Sequence, residues 1–202
     1  MNEKFFQQKI EKQDLMINGA LAAFARHGYR QASTDEMVKE CGVSKGLWFH
    51  YFENKQGLYS FVVNYALRYA ALELEGAVRQ GERDFFEIRE GIERAKVAMT
   101  EKYASLPLLL ANIKLENAPE AKEMIAAGLA QYEEKKLGLL GAMDRTKFRI
   151  GTNERTLQLV IDATFDEKIR EIYLGGSMQV GEYMEFVSST LMDLKMMAYA
   201  NK

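Results

Sequence analysis

Residues 32–58 constrain the fold most, because they carry start and stop signals for two short helices. Ser33 and Thr34 supply hydroxyls that cap the start of a helix, and Gly42 suits the left-handed conformation at its end. Apolar residues recur at a spacing of three to four residues between these signals: Met37, Val38 and Cys41. Ser44 then caps a second helix, which we predict over residues 45–51. This pattern predicts a helix-turn-helix.

The second helix of the pair has an outward face that is unusual for a surface in contact with water. Trp48 and Phe52 lie four residues apart, share a face with Val43, and are expected to point inward. The remaining side chains include Leu, Phe and Tyr, which gain nothing from facing water. A major groove of DNA accepts a helix of this width. We therefore expect contacts to double-stranded DNA from these residues: Ser33, Thr34, Ser44, Lys45, Gly46, Leu47, Phe49, His50, Tyr51 and Lys55.

These residues resemble the N-terminal DNA-binding signature of the TetR (tetracycline repressor) family of bacterial transcription regulators. The matching positions are Thr34, Met37, Gly-Val-Ser-Lys-Gly at 42–46, Phe-His-Tyr-Phe at 49–52 and Lys-Gln-Gly-Leu at 55–58. The resemblance spans residues 15–58, about a fifth of the chain. The family usually has Tyr where this chain has Phe49, so a hydrogen bond from a phenol to DNA gives way to a ring contact alone. The resemblance implies a ligand-responsive repressor.

The composition predicts an all-α fold. The chain has 202 residues, of which 48% are apolar and only two are proline, and residues that favour helices are abundant. Two short helices cannot bury enough surface to be stable alone, so a third helix, predicted over residues 9–26, completes the head. We expect a three-helix helix-turn-helix head over residues 1–54. A larger helical body for ligand binding and dimerisation follows over residues 55–202.

The sequence contains no segment typical of secretion, membrane insertion or catalysis. The first residues lack the apolar core of a signal peptide, and no window approaches a membrane span, so we expect a cytoplasmic protein that does not enter a membrane. The single cysteine, Cys41, excludes an intrachain disulfide, and its helical position predicts a small buried apolar side chain. No catalytic constellation, metal site or cofactor motif is present, so we do not expect an enzyme.

The charge is divided unevenly along the chain, although only weakly. The net charge is −2. Residues 1–58 contain eight Lys and Arg against seven Asp and Glu, which gives +1 and leaves −3 for the remainder. Specific DNA binding needs a local basic rim and not a basic protein. A modest dependence of DNA affinity on salt is therefore expected.

Periodic apolar stripes predict the helices of the body. The predicted ranges are 55–76, 85–103, 120–143, 154–174 and 182–200, with a short apolar segment over 108–113. The helix over 55–76 begins in the head and ends in the body, so it is expected to transmit motion between them. The last two helices carry apolar residues on more than one side. We expect them to form a four-helix interface in a homodimer, which is also the arrangement that the resemblance implies.

The resemblance also implies a cavity in the body for a small, mostly apolar effector whose identity is unknown. Helices lined by Met, Leu and Tyr are compatible with a cavity wall and also with a packed core. The residues that we expect to contact the effector are Tyr103, Asn112, Met124, Tyr132 and Phe165. Asp162 and Asp166 form an acidic helix face. One interpretation is that this face is solvated or lies at an interface and pairs with Arg170. The other is that one of the two aspartates faces the cavity and selects a cationic ligand.

Three classes of function remain open from the sequence. The first is a homodimeric repressor that binds a palindromic operator and is released by its effector. The second is a helical small-molecule carrier or enzyme in which the helix-turn-helix is incidental. The third is a structural interaction module. The outward positions of Lys45, Leu47, Phe49 and Tyr51 favour the first.

Overall fold

The computed structural model describes residues 3–200 of the chain, which form ten α-helices. These are α1 (Glu3–Phe6), α2 (Ile10–Gln31), α3 (Thr34–Cys41), α4 (Lys45–Phe52), α5 (Lys55–Glu73), α6 (Phe85–Ala98), α7 (Leu106–Asn112), α8 (Pro119–Leu140), α9 (Glu154–Leu174) and α10 (Val180–Ala198). Within the described residues, extended pairing is limited to one antiparallel bridge between Phe148 and Tyr199. The prediction of an all-α fold is confirmed.

The head is organised around the apolar stripe of α2. Its buried residues include Met16, Ile17, Ala20, Leu21 and Phe24. Helix α3 approaches α2 so closely that a methyl group on Gly19 would collide with the sulfur of Cys41. Cys41 is 4% exposed, and its thiol donates to the carbonyl of Leu15 at 3.3 Å, which confirms its predicted buried role. This contact fixes α3 on α2.

The body is built around α5, which leaves the head and packs along α8. The Asn64 amide on α5 donates to the carbonyl of Met124 at 2.9 Å, and a methyl group on Gly128 would collide with the Asn64 amide oxygen. Helix α6 contacts α8 and α10, and α7 contacts α2 and α9. Buried core residues of the body include Phe85, Ile88, Ile92, Ile125, Ile161, Ile169 and Val187. Helix α5 is thus the covalent link between α4 and this core.

Helix α2 runs past its predicted end. His-Gly-Tyr at residues 27–29 predicts a stop, but the helix continues to Gln31 after a kink at Gly28, whose φ is +66°. Glycine adopts that conformation without steric strain. The kink separates the N–H of Tyr29 from its helical acceptor, the carbonyl of Ala25. Side chains from the body bind both groups, which is why the kink is tolerated.

Other boundaries differ from prediction by a few residues. The helix predicted over 85–103 ends at Ala98 and tightens into a 3-10 turn over Met99–Glu101. The predicted domain division falls at Asn54, directly before α5, and it stays a prediction. No helix among residues 3–200 combines the length and the apolar character that crossing a bilayer requires.

Candidate nucleic-acid interface

The turn between α3 and α4 has the geometry that the sequence predicts. The Ser33 hydroxyl accepts a hydrogen bond from the N–H of Glu36 at 3.4 Å. The Ser44 hydroxyl accepts one from the N–H of Leu47 at 3.3 Å. Gly42 ends α3 with a φ of +61°. Because these caps satisfy N–H groups that helix starts leave unpaired, the helix-turn-helix follows from local chemistry, and its prediction is confirmed.

The inward face of α4 joins it firmly to the core and to α5. Trp48 and Phe52 are 3% and 5% exposed, so the prediction that both point inward is confirmed. The Asn54 side chain caps α5 by accepting from the N–H of Gly57 at 2.9 Å, and a methyl group on Gly57 would collide with the Phe52 carbonyl. We did not predict the Asn54 cap, although Asn directly before a helical run is a cap signal.

The outward face of α4 is smaller than the sequence predicts. Exposed residues are Ser44, Lys45, Gly46 and His50, and half-buried ones are Ser33, Thr34, Leu47, Phe49 and Lys55. Tyr51 is only 6% exposed, so the prediction that it faces outward is wrong. The reason is α1, which we did not predict. Its Phe5 packs edge-on against the ring of Tyr51 with centroids 5.7 Å apart and covers that side of α4.

Both lysines expected to contact DNA are engaged with the protein. The ammonium of Lys45 lies 2.5 Å from the Asp35 carboxylate. Both groups are exposed, so this ion pair is weak. Lys55 donates to the carbonyl of Arg30 at 2.8 Å and lies over the ring of Tyr29, and burial lowers the pKa of Lys55. Because an ammonium has three N–H donors, Lys55 retains donors for a phosphate.

Two body side chains bind the backbone of α2 at its kink. The Glu116 carboxylate accepts from the N–H of Tyr29 at 2.8 Å, and the Asn112 amide donates to the carbonyl of Ala25 at 2.8 Å. Glu116 was absent from the predicted site residues, and no local signal identifies it. Asn112 was expected to contact an effector, and its amide is committed to the head. These contacts fix the angle between head and body.

The residues expected to contact an effector are buried or half-buried side chains of the packed protein. Tyr103 is fully buried, and its hydroxyl bonds the Tyr65 hydroxyl at 3.0 Å. Tyr132 and Phe165 are buried, and Met124 is half-buried. The ring of Phe165 packs in the core against aromatic side chains of α10. A role for these residues in effector binding stays a prediction.

Asp162 belongs to a buried ionic cluster and, contrary to the prediction, does not pair with Arg170. Its carboxylate accepts from Arg89 at 2.6 Å and from Lys136 at 3.0 Å. Arg170 instead pairs with Glu167 at 2.9 Å. Burial would raise the pKa of Asp162, but Arg89 and Lys136 outweigh burial and hold that pKa well below its ordinary value. Asp162 therefore remains ionised and ties α9 to α6 and α8.

Asp166 lies in the same cluster but is poorly compensated. Its carboxylate is 3.7 Å from the ammonium of Lys96, which pairs more closely with Glu93 at 2.9 Å. Burial raises the pKa of Asp166; Lys96 only partly opposes this, and Glu93 adds to it. The surroundings of the two aspartates thus act in opposite directions, lowering the pKa of Asp162 and raising the pKa of Asp166.

Residues 16–60 match the family model described as bacterial regulatory proteins of the tetR family. This range contains the turn, both of its helices and the start of α5. The chain is 44% identical over 55 residues to YuxN of Bacillus subtilis, an uncharacterized HTH-type transcriptional regulator; the match covers 27% of this chain and 19% of YuxN. The chain spans less than two thirds of the length of the first curated relatives that it matches.

Two solved structures resemble the whole fold. A TetR family transcriptional regulator from Chloroflexus aurantiacus has a TM-score of 0.67 at 15% identity, covering 98% of both chains. FadR from Bacillus subtilis, solved in complex with stearoyl-CoA, has a TM-score of 0.62 at 16% identity, covering 88% of this chain and 95% of FadR. At these identities the likeness concerns the fold. Residues 16–60 thus form a helix-turn-helix domain of the type found in bacterial regulatory proteins of the tetR family, and the fold of the whole chain is similar to that of a TetR family transcriptional regulator.

Proposed function

We propose that this protein is a transcriptional repressor that binds a palindromic operator as a homodimer and releases it when a mostly apolar small molecule binds. The observation that carries this proposal is the outward face of α4, where exposed Lys45, Gly46 and His50 surround the half-buried ring of Phe49. A helix face meant for solvent has few reasons to hold an aromatic ring there. A major groove offers that ring a thymine methyl to contact.

The proposed contacts divide between bases and phosphates. Phe49 and Leu47 make apolar contacts with base edges, and Gly46 lets the helix approach the groove closely. The hydroxyls of Ser33, Thr34 and Ser44, with His50, Lys45 and Lys55, bind phosphates and set the position of the helix. Tyr51 contributes packing beneath the helix and not a DNA contact, because its ring is covered by Phe5.

Exposed apolar residues on α9 and α10 support the proposed dimer. Leu159 and Val160 on α9 are 63% and 47% exposed. Met192 and Met196, one turn apart on α10, are 64% and 62% exposed. Exposed apolar residues on two neighbouring helices suit a two-fold interface, in which the same surface of the partner subunit covers them. Two heads about 34 to 36 Å apart would then read successive major grooves.

The proposed release is a shift between two conformations of the body. An effector that prefers one conformation moves α5 and the junction at Asn112, so that the heads leave the spacing of the operator. The similarity of the fold to FadR, which was solved with stearoyl-CoA, supports an effector with a large apolar part. A coupling free energy of about 1 to 3 kcal/mol is ordinary for such a pair of sites.

Selection of bound sequences from random DNA duplexes tests the proposal. A palindrome with half-sites one helical turn apart is expected. A non-palindromic site would contradict the dimer, and the absence of any enriched sequence would contradict DNA recognition. Compounds that raise the melting temperature are then added to the complex with the selected DNA, and release of the DNA is expected for the effector.

A further inference from the structure

An open groove of about 760 Å³ runs between α5 and α8 on the surface of the body. Its lining is mostly apolar and consists of Arg68, Ala71, Leu72, Leu74, Glu75, Gln131, Glu134, Lys135, Gly138 and Leu139. The volume lies within the range of small-molecule sites, about 300 to 1,000 Å³. None of the residues that the sequence singled out for an effector lines it.

The groove exists because the two helices are close at one point and lack bulk at another. They are in tight contact where Gly128 meets Asn64. Towards the ends of the helices, Gly138 contributes no side chain, and a methyl group placed there would meet nothing within 4 Å. Leu72 stays 63% exposed at this end. The structure thus leaves apolar surface in contact with water, which is costly unless a partner covers it.

The charged residues of the groove are one ion pair and two unpaired groups of opposite sign. Lys135 and Glu75 pair with each other at 2.6 Å. Arg68 is exposed and makes no hydrogen bond or ion pair with any residue that the structure describes. Glu134, an exposed acid of the same lining, is likewise unpaired among residues 3–200. A guanidinium free to form two parallel hydrogen bonds is suited to a carboxylate or phosphate.

Arg68 also connects the groove to the head. It lines a second, more polar pocket of about 920 Å³ together with Lys4, His50, Tyr51, Glu53, Gly57 and Asn64, among others. Of these, His50 and Tyr51 belong to the DNA-facing helix α4. The two pockets share Arg68 and lie on one side of α5. The pocket towards the body is apolar, and the pocket towards the head is polar.

We propose that this groove binds an anionic amphiphile. The apolar chain lies against Ala71, Leu74 and Leu139, and the carboxylate or phosphate binds Arg68, with any larger polar group extending towards His50. A ligand whose polar group reaches His50 touches the body and the end of α4 simultaneously, so it is placed to change the angle of the head. The last step rests on the proposed function, whereas binding in the groove does not.

Calorimetric titration of the full chain with three probes tests the binding. Dodecanoic acid and dodecanoyl-CoA distinguish a free acid from a phosphate-bearing thioester, and 1-dodecanol lacks the charge. We expect Gly138→Phe, which fills the groove, to weaken binding of all three at least tenfold. Arg68→Gln should weaken the anionic probes about tenfold, equivalent to about 1.4 kcal/mol, and the alcohol less than twofold. Glu134→Gln should tighten the anionic probes because it removes a repelling charge.

Ala126→Phe is the matched control, since Ala126 is an exposed residue of α8 outside the groove, and it should bind like the wild type. Wild-type affinity in Gly138→Phe would overturn the site, and equal losses for acid and alcohol in Arg68→Gln would overturn the anionic class. The same probes are then added to the DNA complex. If the variants change probe affinity as expected but no probe releases DNA, binding in the groove is supported and the proposed effector response is refuted.

Discussion

The carboxylate of Glu116 accepts a hydrogen bond from the backbone N–H of Tyr29 at 2.8 Å, across 87 residues of sequence. This bond replaces a helical one that the kink at Gly28 removes. The other carboxylate oxygen accepts from the N–H of Ala118 at 2.9 Å, directly before α8. One side chain therefore ties the end of a head helix to the start of a body helix, so motion of either reaches the other.

Replacing Glu116 with Ala should loosen this junction. Three backbone N–H groups, those of Tyr29, Asn117 and Ala118, lose their acceptor, and leaving such groups unsatisfied costs about 1 to 3 kcal/mol. Urea unfolding should show a loss of that size, and the amide of Tyr29 should exchange hydrogen faster. Glu123→Ala is the control, because Glu123 is an exposed residue of α8 and its loss should stay within about 0.5 kcal/mol. Unchanged exchange at Tyr29 would refute the role of Glu116.

Replacing Phe49 with Ala should abolish preference for the operator over random DNA while leaving the fold intact. The ring is half-buried beside Lys45 on the outward face of α4. Phe6→Ala is the control, since Phe6 is also a partly exposed aromatic of the head but lies on α1. Fluorescence anisotropy with operator and scrambled duplexes measures the preference. Retained specificity in folded Phe49→Ala would contradict the assignment, and Phe49→Tyr should tighten or redirect binding.

Replacing Asp35 with Asn should strengthen DNA binding, because it frees Lys45 from its ion pair and removes a negative charge near the phosphates. Lys45→Ala should do the reverse and lower the slope of log affinity against log salt by about one. Binding measured between 50 and 200 mM salt, in the range where counterion release is steep, checks both. The proposal that Lys45 binds phosphate fails if neither variant changes the slope. Glu123→Gln, at an exposed site on α8, is the control.

Met192→Glu or Met196→Glu should split the proposed dimer, since a charge would be buried in an apolar interface. Operator affinity should be lost at the same time. Leu191 is unsuitable for this test because it is 4% exposed, so a charge there would disrupt the core. Ile150→Glu, at a fully exposed loop residue, is the control. Sedimentation and DNA titration check the prediction. A wild-type monomer that binds the operator tightly at micromolar concentration would contradict it.

Asp162→Asn should destabilise the fold at neutral pH far more than Asp166→Asn. The pKa of Asp162 is held low, so its charge stabilises the fold above its ordinary pKa of 3.8. Losing that charge leaves Arg89 with only the longer contact to Glu93, at 3.5 Å, at a cost of about 3 kcal/mol. The pKa of Asp166 is raised, so neutralising it should cost little or stabilise. Urea unfolding at pH 7 and pH 3 checks this. The deficit of Asp162→Asn should narrow below pH 3.8, where the wild type loses the same contribution.

The sequence by itself determined the helix-turn-helix and the inward face of α4. Ser33, Gly42 and Ser44 act on groups within a few residues, and the helical period places Trp48 and Phe52 on one face, so these features need no distant partner. Most helices of the body followed from the same periodicity. Their ends differed by a few residues because turns such as Met99–Glu101 depend on packing.

Only the tertiary structure decided which polar groups meet. Glu116 reaches Tyr29, and Arg89 reaches Asp162 across 73 residues, and no local pattern encodes such pairs. Tyr51 does not face outward as predicted, because Phe5, which lies 46 residues earlier in the chain, covers its ring. The groove beside Arg68 lies between two helices that are in tight contact at Gly128 and lack a side chain at Gly138. Local signals fix what forms a helix, whereas burial, pairing and cavities depend on contacts that the chain makes only once it is folded.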